Sequence, residues 1–123
     1  MKPMLMVGIG GFIGAMARYK LGGFVLHHTN ASKFPLSTFA VNVVGCLAAG
    51  VLAGMVIKHD SLSPNARLFL FTGLLGGFTT FSAFGLDTFY LLQRNELKWA
   101  ALNACLSPFV GIMAVWLGAK LVS

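Results

Sequence analysis

The chain has 123 residues, 57% of them hydrophobic and only 10% charged, with nine Lys and Arg against three acids for a net charge of +6. About a quarter of an ordinary soluble protein is charged, so this composition excludes a water-soluble globule and points to an all-α membrane protein. The basic residues stand singly or in small groups between apolar stretches, which suits lipid headgroups and argues against nucleic acid as a partner.

One transmembrane domain, 1–123, is expected, with four helices of about the 20 apolar residues that a span needs. The first covers about 4–26 and is the weakest, because it must include Arg18 and Lys20. Its start, Met1-Lys2 before an apolar run, imitates a signal peptide. Three more apolar segments follow, however, without a small-residue cleavage site, so it reads as a membrane helix. The second helix covers about 36–57 and is uncharged from Leu36 to Ile57. The third covers about 66–92, with no charge between Arg67 and Asp87, and the fourth about 97–121, uncharged from Trp99 to Ala119.

The connections are polar. His27–Pro35 contains Thr29-Asn30, Ser32 and Lys33; Lys58–Asn65 reads KHDSLSPN, with a helix restart at Ser63-Pro64; Gln93–Lys98 is a short hairpin. Glycine and alanine recur at spacings of three and four, as at Gly10, Gly14, Gly50 and Gly54, which lets helix backbones approach closely in lipid. Four short helices enclose a pore poorly, so these faces argue for an oligomer. Cys46 and Cys105 lie in different spans and read as small packing residues. The three histidines lack ligand spacing, and no nucleophile–base pair is visible, so neither a metal cluster nor an enzyme is expected.

The loop charges give almost no orientation bias. Lys2, Lys58, Arg67 and Lys120 fall on one side; Arg18, Lys20, Lys33, Arg94 and Lys98 fall on the other. A chain without a Lys/Arg bias can insert both ways, which permits antiparallel dimers of one sequence.

Polar groups at membrane depth are costly unless they are paired. The densest group is Gly76-Gly77-Phe78-Thr79-Thr80-Phe81-Ser82-Ala83-Phe84-Gly85, in the third span. Either the helix breaks there and its freed backbone lines a cavity, or it stays straight and its hydroxyls bond back to the preceding turn. Phe81 and Phe84 share a helix face, and ring edges beside the hydroxyls of Thr79, Thr80 and Ser82 suit weak binding of a small anion. Asn42 is either a helix–helix hydrogen bond or an N–H donor in such a site. Arg18 can snorkel or draw anions into a vestibule. Asp87 is a proton carrier, a partner of Arg18 or Arg94, or an interfacial acid.

On these residues the chain resembles the Fluc/CrcB family of bacterial fluoride channels over essentially its whole length. The matching stretches are Gly10-Gly11 through Gly14-Ala15 to Arg18-Tyr19, Ser37-Thr38 through Asn42 to Gly45, and above all GGFTTFSAF at Gly76–Phe84. The resemblance implies an antiparallel, dual-topology homodimer of four-helix subunits in the bacterial cytoplasmic (inner) membrane, with two pores and a third helix broken mid-membrane. It also implies a structural sodium ion at the dimer centre, not transported and held by the carbonyls of Gly76 and Thr79. The fluoride pore would comprise Phe81, Phe84, Asn42, Ser82 and Thr80, with Arg18 in the vestibule. The family's fourth-helix serine and threonine align with Gly111 and Val115, so either Ser107, one turn earlier, substitutes in the polar track or the track is thinner than the family's. Ala83 likewise departs from the family's TTFSTF.

The expected function is passive, fluoride-selective export that protects the cytoplasm. Three other readings compete with it. A proton-coupled multidrug exporter would have to use Asp87, since no acid precedes Asp60. The others are one subunit of a heteromeric fluoride channel and a non-transporting assembly subunit.

Overall fold

The computed structural model describes residues 1–29, 32–60 and 62–123. Asn30 and Ala31 of the first connection and Ser61 of the second lie outside the described residues.

Helix α1 runs Lys2–Thr29 and α2 runs Leu36–His59. Asp60 ends α2 in the left-handed region (φ 47°), where its N–H reaches the Val56 carbonyl. The third span opens with α3, Pro64–Arg67, whose Ser63 cap accepts from the Ala66 N–H at 3.2 Å, with Pro64 where its missing N–H costs nothing. It continues as a π-helical stretch, Leu68–Leu75, and a short α4, Gly76–Phe78. Helical backbone resumes as α5, Phe81–Gln93. A turn through Asn95 (φ 60°) leads to α6, Leu97–Leu121, which carries Pro108 inside it.

Among the described residues, four helices are long and apolar enough to cross a membrane: Lys2–Thr29, Leu36–His59, Pro64–Gln93 and Leu97–Leu121. Arg18 and Lys20 fall inside the first of these, and helical backbone extends past the apolar stretch at both of its ends.

Helix α2 packs along α6, and α1 packs along the π-helical stretch and α4. Lipid is as apolar as leucine and offers no hydrophobic drive for pairing helices, so contact depends on close backbone approach. At Gly14 an added Cβ would strike the Leu74 carbonyl and sit 2.9 Å from the Phe78 amide nitrogen. Gly50 and Gly118 bring α2 and α6 together in the same way, against the carbonyls of Val115 and Leu47. Gly8, two residues before the first contact glycine of α1, has nothing within 4 Å.

Gly14→Ala is therefore expected to lower the thermal unfolding midpoint in detergent, at a cost of about 1–3 kcal/mol from overpacking. Gly8→Ala should hold or raise it, because alanine is the better helix former. Equal midpoints in the two variants would overturn the backbone-contact reading.

Large apolar side chains point outward, as with Phe12 (67% exposed), Ile112 (70%) and Phe109 (64%). The buried set is small, dominated by Val41, Leu75, Leu91, Ala100 and Ala114 beside the contact glycines. That inversion fits a bundle solvated by hydrocarbon. Among the described residues, two ion pairs bind connecting segments, Lys33–Glu96 at 3.1 Å and Arg67–Asp60 at 2.6 Å. Both are solvent-accessible, so they orient loops more than they stabilise the fold.

Candidate ion-binding groove

Between α4 and α5 the backbone leaves the helical region at two residues. Thr79 adopts φ −87°, ψ 156° and Thr80 adopts φ −148°, ψ 123°. Extended backbone here takes peptide groups out of the helical ladder, and each must find another partner away from water.

Side chains from three elements supply those partners. The Asn42 amide on α2 donates from Nδ2 to the Thr80 carbonyl (3.0 Å), and its Oδ1 accepts from the Thr80 N–H (2.8 Å). Arg18 on α1 donates from Nε to the Gly77 carbonyl at 3.0 Å. Thr80 itself caps α5, its Oγ1 accepting from the Ala83 N–H at 3.2 Å. The Thr79 hydroxyl bonds back to the Leu75 carbonyl at 2.9 Å, as it would in an unbroken helix, although its own backbone is extended. Arg18 and Asn42, fixed on separate helices, thus meet the third span within four residues of each other.

The same residues divide two cavities. One, of about 510 Å³, is an open groove between α2, the third span and α6, bordered by Asn42, Thr80, Phe81, Phe84 and Ser107. Gly76 and Thr79 border it too. The Phe81 and Phe84 rings are 5.7 Å apart between centroids and tilted by 38°. Phe81 is 84% exposed, whereas Phe84 is half-buried. The second cavity, of about 620 Å³, is bordered by Arg18, Lys20, Ser37, Thr38 and, again, Thr80. Thr80 borders both spaces. Ser82 borders neither; its hydroxyl lies 3.2 Å from that of Thr80, on the exposed side of α5.

On α6, Asn103 is 2% exposed, the buried polar side chain among the described residues, and sequence reasoning passed over it. Its Nδ2 donates to the Thr88 Oγ1 at 2.9 Å, and its Oδ1 accepts from the Ser107 hydroxyl at 2.7 Å. Thr88 in turn donates to the Phe84 carbonyl at 2.9 Å. A carbonyl only accepts, so Thr88 must donate to it and accept from Asn103. The proton order of the whole chain follows: Ser107 spends its hydrogen on Asn103 and turns lone pairs toward the groove. The available signal was the argument already applied to Asn42, that an amide within an uncharged span needs a partner.

Among the described residues, Asp87 pairs with neither Arg18 nor Arg94. No three of their His, Cys, Asp and Glu side chains gather to hold a metal. Cys46 and Cys105 are free thiols.

A third span with two extended residues, met by an arginine and an asparagine and bordered by two cavities, lies within a multi-pass membrane protein whose open groove is lined by aromatic and a few polar side chains. Residues 5–119 match the family described as "CrcB-like protein, Camphor Resistance (CrcB)", and the chain belongs to that family. It is 48% identical over 122 residues to a protein of Methylobacillus flagellatus named fluoride-specific ion channel FluC, covering 99% of this chain and 95% of the relative. Relatives of the same name from Flavobacterium psychrophilum and Hyphomonas neptunium are 42% and 43% identical, covering 96% of this chain and 94% and 93% of their own lengths.

Proposed function

We propose that this chain forms a fluoride-selective channel, not an enzyme, which lets fluoride leave the cytoplasm passively across the inner membrane and so limits its toxicity. The observation that carries this reading is the position of Thr80 between two cavities. On one side Arg18 and Lys20 supply positive charge that concentrates anions. On the other stand the Phe81 and Phe84 rings, with Asn42 bonded to the Thr80 backbone at the junction. Full-length relatives named as fluoride channels support the choice of ion.

Fluoride is small and holds its water tightly, so its path must offer replacement donors that bind weakly enough for exit. Asn42 keeps one amide hydrogen beyond its bond to Thr80. Thr80 supplies a hydroxyl at the start of α5, with that of Ser82 beside it on the face a second copy would cover, and the edges of Phe81 and Phe84 carry partial positive charge. Ser107, showing lone pairs, serves the α6 wall by accepting from water that still hydrates the ion. Width and aromatic walls then disfavour larger chloride.

The groove is open along one side, and a second, antiparallel copy of the chain would close it at membrane depth. The nearly even loop charges favour that dual-topology homodimer. A structural sodium ion fits the donor set at its centre: Gly76 and Thr79 offer neutral main-chain oxygens where the helix stops, which suits a hard cation. Bound there, it would add fixed positive charge without being transported.

Purified chain in sodium-containing liposomes is expected to release fluoride within seconds at an electrode while retaining chloride. Retention of fluoride by folded, dimeric protein would sink the homodimeric channel reading and direct the search to a second, different subunit.

A further inference from the structure

We propose that Asn103 is a positioning residue: it fixes α5, and with it Phe84, against α6 through a proton-ordered chain. Helix α5 is separated from α4 by the extended Thr79-Thr80 pair, so it is not held along its axis by the rest of the third span. Its main packing partner is α6, with only slight contact to α2. Across the α5–α6 seam the side-chain hydrogen bond is Asn103 to Thr88, and Thr88 bonds on to the carbonyl of Phe84. The residue that shapes the groove and the residue that anchors its helix are thereby linked over two bonds.

The chemistry restricts what can stand at position 103. Thr88 has committed its hydrogen to the Phe84 carbonyl and needs a donor; Ser107 needs an acceptor for its own hydrogen. A single side chain must donate at one end and accept at the other, as a primary amide does. A carboxylate has only acceptors and fails toward Thr88. A protonated carboxyl has one O–H and one C=O, and succeeds. Leucine matches the volume and offers neither.

This gives a signature that ordinary loss of packing would not. A protonated carboxyl satisfies both ends of the chain and a carboxylate only one, so Asn103→Asp should keep α5 in place at low pH, where the carboxyl is protonated, and release it as the pH rises. The ionisable side chains on these elements, Asp87 and Tyr90 on α5, Lys98, Cys105 and Lys120 on α6 and Cys46, Lys58 and His59 on α2, are also present in the parent chain, whose own profile subtracts them.

The test is hydrogen exchange of full-length protein in detergent, read on peptides within 81–93 and corrected for base-catalysed intrinsic exchange. Exchange in Asn103→Leu and Thr88→Val is expected to run about tenfold faster than in the parent at every pH, as for local opening of a segment that has lost an anchor. Thr88→Ser, which keeps the hydroxyl, should match the parent. Asn103→Asp should change from parent-like to leucine-like with rising pH. Parent-like exchange in Asn103→Leu and Thr88→Val, or a flat profile for Asn103→Asp, would overturn the proposal.

The effect on transport rests on the channel reading, so fluoride efflux is measured on the same preparations. If the parent conducts, Asn103→Leu should conduct at least about tenfold more slowly, and parent-like efflux would overturn Phe84 positioning. If the parent does not conduct, the channel reading fails, and the exchange result still decides whether Asn103 holds α5.

Discussion

Asn42→Leu is expected to remove nearly all fluoride conduction and to destabilise the chain. Leucine fits the volume but makes neither bond to Thr80, leaving the N–H and the carbonyl of that residue, in two successive peptide groups, unpaired between helices. Each orphaned buried group costs about 1–3 kcal/mol, so a loss of about 2–6 kcal/mol follows if neither finds a new partner. The lost donor on the ion's path compounds that. Asn42→Asp is a sharper control: its carboxylate still accepts from the Thr80 N–H but confronts the Thr80 carbonyl and any approaching anion with negative charge. Unfolding midpoints in detergent and efflux in liposomes separate the two costs. Normal efflux from Asn42→Leu would remove this residue from the path.

The second large effect should leave the fold alone. Phe81 is 84% exposed in the single chain, so Phe81→Ile removes little internal packing. Phe84 is half-buried at the groove and closer to its neighbours. In both cases isoleucine retains bulk and loses the positive ring edge. An aromatic contact of about 0.5–1.5 kcal/mol, lost at a narrow point, corresponds to a slowing of up to about tenfold at each position. The double variant should lose nearly all flux. Unchanged oligomeric state on size-exclusion, with flux lost, is the expected pair of results. Parent-like flux in both single variants would show that the rings are walls and not ligands.

The main outline was legible because it rests on coarse physics. Uncharged stretches of span length, bounded by KHDSLSPN and a polar hairpin, leave a chain little choice but four membrane helices. Ser63-Pro64 was legible as a helix start for an equally local reason, a hydroxyl cap followed by a residue that lacks an N–H. Thr79-Thr80 after paired glycines suggested irregular backbone, but not which groups would hold it. The meeting of Arg18 with Gly77 spans 59 residues of sequence, and periodicity reports faces, not partners.

Two features escaped for different reasons. The π-helical geometry of Leu68–Leu75 has no mark in its composition, which would serve an α-helix as well; it coincides with the stretch against which the α1 glycines press. Asn103 escaped because its segment was judged by the absence of charge, a criterion blind to amides. Its spacing of four from Ser107 was visible; its bond to Thr88, across the turn between α5 and α6, was not. Ser82 shows the converse. It belonged to the densest polar run in the chain, yet it neighbours the Thr80 hydroxyl without bordering either cavity.

The supports of the interrupted span also bear on how the protein is made. Arg18 and Asn42 precede the peptide groups they bind, so both are already synthesised when Thr79 and Thr80 leave the ribosome. A third span released alone into lipid would carry bare peptide groups at a cost of several kcal/mol each. With α1 and α2 waiting beside the insertion machinery, those groups can be claimed as they arrive. Helix α6, which emerges after α5, then brings Asn103 to Thr88. The order of residues along the chain is thus also a workable order of assembly, each segment meeting partners that entered the membrane before it.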